Sequence, residues 1–270
     1  MTTCIARLDS RALIRVSGPD ARPFLHNLLT QDVETLAEGD LRFGALLSPP
    51  GRLLFDLFLR GETDAVLLDA AADRREVLLQ RLSMYRLRAQ VTIEPDDRPV
   101  FVSWPDVADR FTADPRAPGL GGRRYGGDTR TDAAETDWQA HRLAAGVPDP
   151  AADAPSDKTY PIEADFDLLN GIDFAKGCFV GQETTSRMKR RGAIKTRMLP
   201  IAFDGPPPPF GAEILNGELR AGEVLSGIDA SAMALLRLDR LEGPLTVDGR
   251  PVTVRLPHWT GLHNEKRARS

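Results

Sequence analysis

The sequence predicts an α+β protein in which helices cover one face of a largely antiparallel sheet, followed by a small β-barrel or sandwich. Three observations carry this. The first hundred residues alternate β-like apolar runs with two stretches of helical period, and the chain after Arg197 breaks into short β runs parted by glycines. A length of 270 residues suits one large domain or two modest ones.

Element by element, residues 12–16 read as a strand. Ser17-Gly18-Pro19-Asp20-Ala21 then opens a helix with Pro23 early and an apolar stripe of Phe24, Leu25, Leu28 and Leu29. Residues 41–47 and 53–59 are β runs joined by Ser48-Pro49-Pro50-Gly51, a strong turn signal. Residues 65–68 form another strand, and 72–87 place Leu78, Leu82 and Tyr85 on one helical face before a strand at 91–94. Residues 105–127, rich in Gly, Pro, Asp and Arg, read as a long loop. A helix follows at 132–145, then an acidic stretch, 149–167, whose only base is Lys158 and which reads as a solvated connector. Runs at 198–203, 223–228, 232–238 and 251–256 make the closing β unit. The expected division is 1–195, 196–262 and a polar tail, 263–270.

Composition excludes several function classes. With 35 Lys+Arg against 39 Asp+Glu, a net charge of −4 argues against a protein that coats nucleic acid. No run approaches the ~18 apolar residues of a membrane span, and the first thirty residues lack a signal-peptide pattern. The expectation is a soluble, cytoplasmic protein that does not engage membranes. Cys4 and Cys178 are the two cysteines, too few for a disulfide framework and not a C-x-x-C pair. A four-iron cluster normally takes four thiolates, so this chain cannot hold one with cysteines alone. The four histidines are scattered, and neither nucleotide-binding nor serine-hydrolase motifs occur.

One segment stands apart: Lys176-Gly177-Cys178-Phe179-Val180-Gly181-Gln182-Glu183, running into Thr184 and Arg187. Gly177 and Gly181 permit positive φ and close backbone approach. Cys178 would sit just ahead of a helix start, where exposed amides and Lys176 favour thiolate. A small buried cysteine within a turn explains the same residues. Residues 187–197 hold six basic side chains and no acid, which reads as a solvated face or an anion patch.

The octapeptide closely resembles the K-G-C-[YF]-x-G-Q-E signature of the YgfZ family. Its members are folate-binding, iron–sulfur-associated relatives of the glycine-cleavage T-protein, a tetrahydrofolate-dependent aminomethyltransferase. The resemblance covers most of the chain: 24–33 with Thr30-Gln31-Asp32-Val33, 43–56, Tyr85-Arg86-Leu87-Arg88, 142–146 and 224–238. It is closer to the mitochondrial iron–sulfur assembly branch than to the T-protein itself. The fold this implies is the T-protein type, with ferredoxin-like subdomains around a central cavity and a C-terminal β-barrel. Phe55-Asp56 stands where the T-protein has two aspartates, Asp69 replaces an asparagine, and Arg142-Leu143-Ala144-Ala145-Gly146 replaces R-L-E-A-G. The pterin-recognising T-G-x-T-G-E-x-G has no counterpart between Val102 and Arg130.

The resemblance implies a folate-binding factor for assembly or maintenance of four-iron enzymes, with Cys178 as the functional thiol. Lys176, Gly177 and Gly181 would set its reactivity, and Gln182, Glu183 and Arg187 would give polar support. Asp56 and Asp69 would contact the pterin. The implied cofactor is tetrahydrofolate or a derivative, with no resident metal and an iron–sulfur cluster transiently at most, shared through Cys178. Implied partners are assembly proteins or client enzymes. Two alternatives stand: an aminomethyl transferase using Asp56, and a tRNA-modification-associated factor contacting RNA through 187–197. Cys4 and His26 read as incidental or packed, and Trp138 as packing that could border the cavity.

Overall fold

The computed structural model describes residues 2–192 and 194–262; the expected tail, 263–270, lies outside them. In chain order the body contains β1 (Cys4–Arg7), β2 (Arg11–Ser17), α1 (Ala21–Leu28), β3 (Leu41–Leu47), β4 (Leu53–Gly61) and β5 (Ala65–Ala71). Next come α2 (Arg75–Arg86), β6 (Thr92–Asp96), β7 (Val100–Trp104), β8 (Thr112–Ala113) and β9 (Gly122–Tyr125). Then follow α3 (Glu135–Ala144), α4 (Pro150–Asp153) and α5 (Gln182–Arg191). The closing unit is β10 (Thr196–Phe203), β11 (Glu213–Asn216), β12 (Leu219–Ile228), β13 (Ser231–Arg237), β14 (Leu245–Val247) and β15 (Arg250–Val254).

The strands form an antiparallel five-stranded sheet, β3-β4-β5-β2-β6, a four-stranded sheet, β1-β7-β9-β8, and a closed six-stranded barrel, β10 to β15. Side-chain alternation sorts the large sheet. Ile14 and Val16 of β2, Leu57 and Leu59 of β4, and Val66 and Leu68 of β5 pack under α1 and α2. Leu13, Phe58 and Leu67 point the other way, into a second core shared with the smaller sheet and with Met198, Leu225 and Met233 of the barrel. The same alternation sends Arg11, Asp56 and Asp69 to that second face, in the middle of the molecule.

Two expectations are corrected here. The 105–127 stretch supplies β8 and β9 rather than remaining a loop. Gly121 makes this pairing possible: at φ +81° it passes so close to Ser103 O that a Cβ would collide. The acidic 149–167 stretch is no solvated connector, since Asp153 and Asp165 are fully buried. It straps the body to the barrel. Asp153 accepts from Ser226 N at 3.1 Å, Met198 N donates to Glu163 O at 2.8 Å, and Arg197 pairs with Asp165 and Asp167 at 2.6 and 3.0 Å.

Candidate functional site

The signature segment forms a ledge on the surface. Phe179 inserts into the central core and Val180 packs against the helix-side core, while Gly177 and Cys178 stay exposed between the anchors. The Lys176 ammonium donates to His26 O at 2.6 Å and Leu29 O at 3.0 Å, capping the last turn of α1. It also lies 5.0 Å from the Phe179 ring centre. Burial pulls its pKa down, against the opposing charges of Asp32 and Asp173. Asp173 Oδ1 accepts from the backbone of Ala175 and Lys176, and Asp173 N donates to Thr30 O. One end of the ledge is thereby tied to α1.

The other end is tied to the β3–β4 hairpin. Gly181 sits at φ +80°, where a Cβ would stand 2.7 Å from Ser48 O and 2.8 Å from Gly51 Cα. Gln182 closes the turn: its N–H donates to Phe179 O at 3.2 Å and its Oε1 accepts from Phe179 N at 3.3 Å. Gln182 therefore builds the ledge, and α5 starts four residues beyond Cys178. Gly177 departs from expectation: its φ is not positive, and a Cβ would meet only His26 Nε2 at 3.8 Å, an ordinary contact. Glu183 and Arg187 face solvent and pair with each other at 3.8 Å. No three His, Cys, Asp or Glu side chains among the described residues are placed to hold a metal ion. Cys178 therefore has no companion ligands for a cluster among the described residues.

Asp56 and Asp69 belong to a different place, the buried centre. Arg11 joins them, its Nε to Asp69 Oδ1 at 2.6 Å and its Nη1 to Asp56 Oδ2 at 2.8 Å. Asp69 Oδ2 also accepts from Arg123 Nη1 at 2.8 Å and the Tyr125 hydroxyl at 3.1 Å. Arg123 continues to Asp114, which Arg116 holds at 2.8 Å. The Phe58 ring lies under Arg123, Arg116 and Arg11 at 3.6, 4.9 and 5.7 Å. Burial opposes charge on Arg11, but Asp56 and Asp69 outweigh it and raise its pKa; burial likewise opposes charge on Asp114, where Arg116 and Arg123 prevail and lower it. Burial, then Asp69, pushes the Tyr125 phenol well up, so it stays a donor.

This centre does not fit the pterin contacts expected of Asp56 and Asp69. A pterin edge wants a carboxylate with free acceptors, and both Asp69 oxygens are taken. The space touching Asp56 holds about 10 Å³, room for about one water. Asp56 is held in place by Arg11. Beside this centre, a plug of ion pairs, opens a cleft of about 570 Å³, reached by Arg11, Gln139, Arg142, Asp149 and Ser226. Trp138 is buried in the central core and borders the small inner space. Arg11, Arg123 and Tyr125 were not anticipated, although the β2 alternation places Arg11 beside Leu13, whose register partner is Asp69.

The basic run 187–197 does not form one anion patch. Arg197 is 4 % exposed and bound to Asp165 and Asp167, and Lys189 reaches Asp167 at 3.3 Å. Arg197 is thereby withdrawn from the surface, while Lys189 stays partly exposed.

Comparison with known proteins agrees with this architecture. Residues 195–262 match the family model described as CAF17, C-terminal beta-barrel domain. The crystal structure of glycine cleavage system aminomethyltransferase T from Bartonella henselae superposes with a TM-score of 0.77 at 16% identity, covering 95% of this chain and 86% of that one. The fold is therefore the T-protein type. The human iron-sulfur cluster assembly factor IBA57, mitochondrial, is 31% identical over 304 residues, 94% of this chain and 84% of its own. The mouse protein of the same name is 30% identical over 307 residues, 95% and 85%. These names overturn the cytoplasmic expectation: the location they point to is mitochondrial. At this identity and coverage the conclusion is plain, and the chain belongs to the family of iron–sulfur cluster assembly factor IBA57.

Proposed function

We propose that this protein supports the assembly of iron–sulfur proteins, within the broader YgfZ family, and that the thiol of Cys178 is its acting group. The observation that carries this is the ledge: an exposed cysteine on backbone pinned at one end by Lys176 to α1 and at the other by Gly181 to a hairpin. A pinned, exposed thiol suits ligand exchange with a cluster carried by an assembly protein or client enzyme. The sulfur of Cys178 bonds to an iron, the bond from that iron to one thiolate of the carrier breaks, and the proton of Cys178 ends on that departing thiolate; no electron changes hands. Lys176, Gly177, Gly181 and Gln182 act by positioning that sulfur, and Glu183 and Arg187 border the approach. The barrel, 196–262, and the body, 1–195, are taken as its two units.

Anaerobic titration with a preformed cluster on a small-thiol carrier tests this. Wild type should change the visible absorption and circular dichroism of the cluster saturably, and Cys178→Ser should not. Equal spectral changes in both would remove the thiol from the account.

A second reading concerns folate, favoured by the 570 Å³ cleft, which lies within the ~300–1,000 Å³ range of small-molecule sites. Tetrahydrofolate would sit there, against Gln139 and Asp149, rather than on Asp56 and Asp69. Calorimetric titration with tetrahydrofolate should then show binding that Gln139→Leu weakens and Asp56→Asn spares; the opposite order would place it in the plug.

A further inference from the structure

A second cleft, of about 470 Å³, opens between the β4–β5 hairpin and the β8–β9 edge. Five arginines and three acids line it, in a chain whose net charge is −4. One of these acids holds one of these arginines, Glu62 with Arg98, and none of the three holds the other four. Glu62 is bound by Arg98 at 2.7 Å and approached by Arg15 at 3.8 Å, and Asp64 is bound by Arg15 at 2.8 Å. Two half-buried guanidinium groups are left over. Arg60 makes its hydrogen bond to the Thr112 hydroxyl, and it has no carboxylate partner among the described residues. Arg124 has neither a side-chain hydrogen bond nor an ion pair among them. Gly127, at φ +77°, gives the Arg124 guanidinium its place, because a Cβ there would collide with Nη2.

Half-buried guanidinium groups facing a shared cavity recognise oxyanions by paired N–H donors, a geometry that lysine does not reproduce. We propose that this cleft binds a compact polyanionic small molecule, bearing phosphate or carboxylate groups, between Arg60 and Arg124. The site is separate from the Cys178 ledge and does not depend on the function proposed for it. Arg123 touches the cleft from the plug side but is spent on Asp69 and Asp114.

Calorimetry on the full chain at low ionic strength, with inorganic pyrophosphate and with citrate as probes, tests the proposal. At least one probe should bind saturably below about 1 mM. Arg124→Gln and Arg124→Lys should each weaken it about tenfold, whereas Arg187→Gln on α5 should leave it unchanged. Tighter pyrophosphate binding assigns a phosphate ligand, and tighter citrate binding a carboxylate. Arg60→Gln risks the Thr112 contact, so Arg124, which no described group holds, carries the test. Absence of saturable heat up to about 10 mM of either anion, equal affinity in Arg124→Gln, or equal weakening by Arg187→Gln would overturn it.

Discussion

Cys178 owes its exposure to its neighbours, and the two glycines flanking it do different work. Gly181 needs its positive φ and the space against Ser48 and Gly51, so Gly181→Ala should destabilise by about 1–3 kcal/mol in urea unfolding. Gly177→Ala should stay within about 0.5 kcal/mol of wild type. Equal losses would mean that the hairpin contact does not hold the ledge. Arg11 is the other residue on which much rests. Arg11→Met leaves Asp56 and Asp69 without their shared partner, and such breaks of buried pairs cost about 3–5 kcal/mol. A loss under about 1 kcal/mol would show that Arg123 and Tyr125 alone can hold Asp69. The thiol was legible because it belongs to an unusual run of eight residues, Lys176 to Glu183. The role of Lys176 was not, because its carbonyl partners, His26 in α1 and Leu29 just past its end, lie 150 and 147 positions away, and no local pattern encodes that reach.

At the scale of elements, the strap between α4 and the barrel holds an acid whose pKa burial raises. Asp165 has one oxygen on Arg197 at 2.6 Å, while Oδ2 is buried without a hydrogen-bond partner among the described residues. Burial, with Asp167 adding, pushes its pKa up to about 7 against the pull of Arg197. The folded state then holds a proton that the unfolded chain releases near pH 4. Stability from this group is present at low pH and falls as pH rises from about 4 to about 7. Asp165→Asn keeps an acceptor for Arg197 and should remove that part of the slope, leaving the variant relatively more stable at pH 8 than at pH 5. An unchanged slope would show that Asp165 ionises normally. Elements with local signals, such as α1 and the β3–β4 hairpin, were readable. β9 was not: its Gly-Arg-Arg-Tyr becomes strand because Arg123 finds Asp69 and Asp114 across the centre.

Across the whole molecule, the T-protein architecture is kept, its middle is filled with ion pairs, and the Cys178 thiol is exposed. Overall order was legible because the apolar periods switch where the layers switch, at the body sheet and again after Arg197. The filled centre was not, since it is made by single charged residues from β2, β4, β5 and β9 that meet only in the folded chain. Cys178 is exposed on a ledge whose Phe179 anchor packs into the central core, and the role proposed for its thiol can be tested in cells. The most direct measurement is the activity of a four-iron enzyme in cells lacking this protein, restored with wild type, Cys178→Ser or Asp56→Asn at matched protein levels. Wild type and Asp56→Asn should restore activity and Cys178→Ser should not; full restoration by Cys178→Ser would contradict the account.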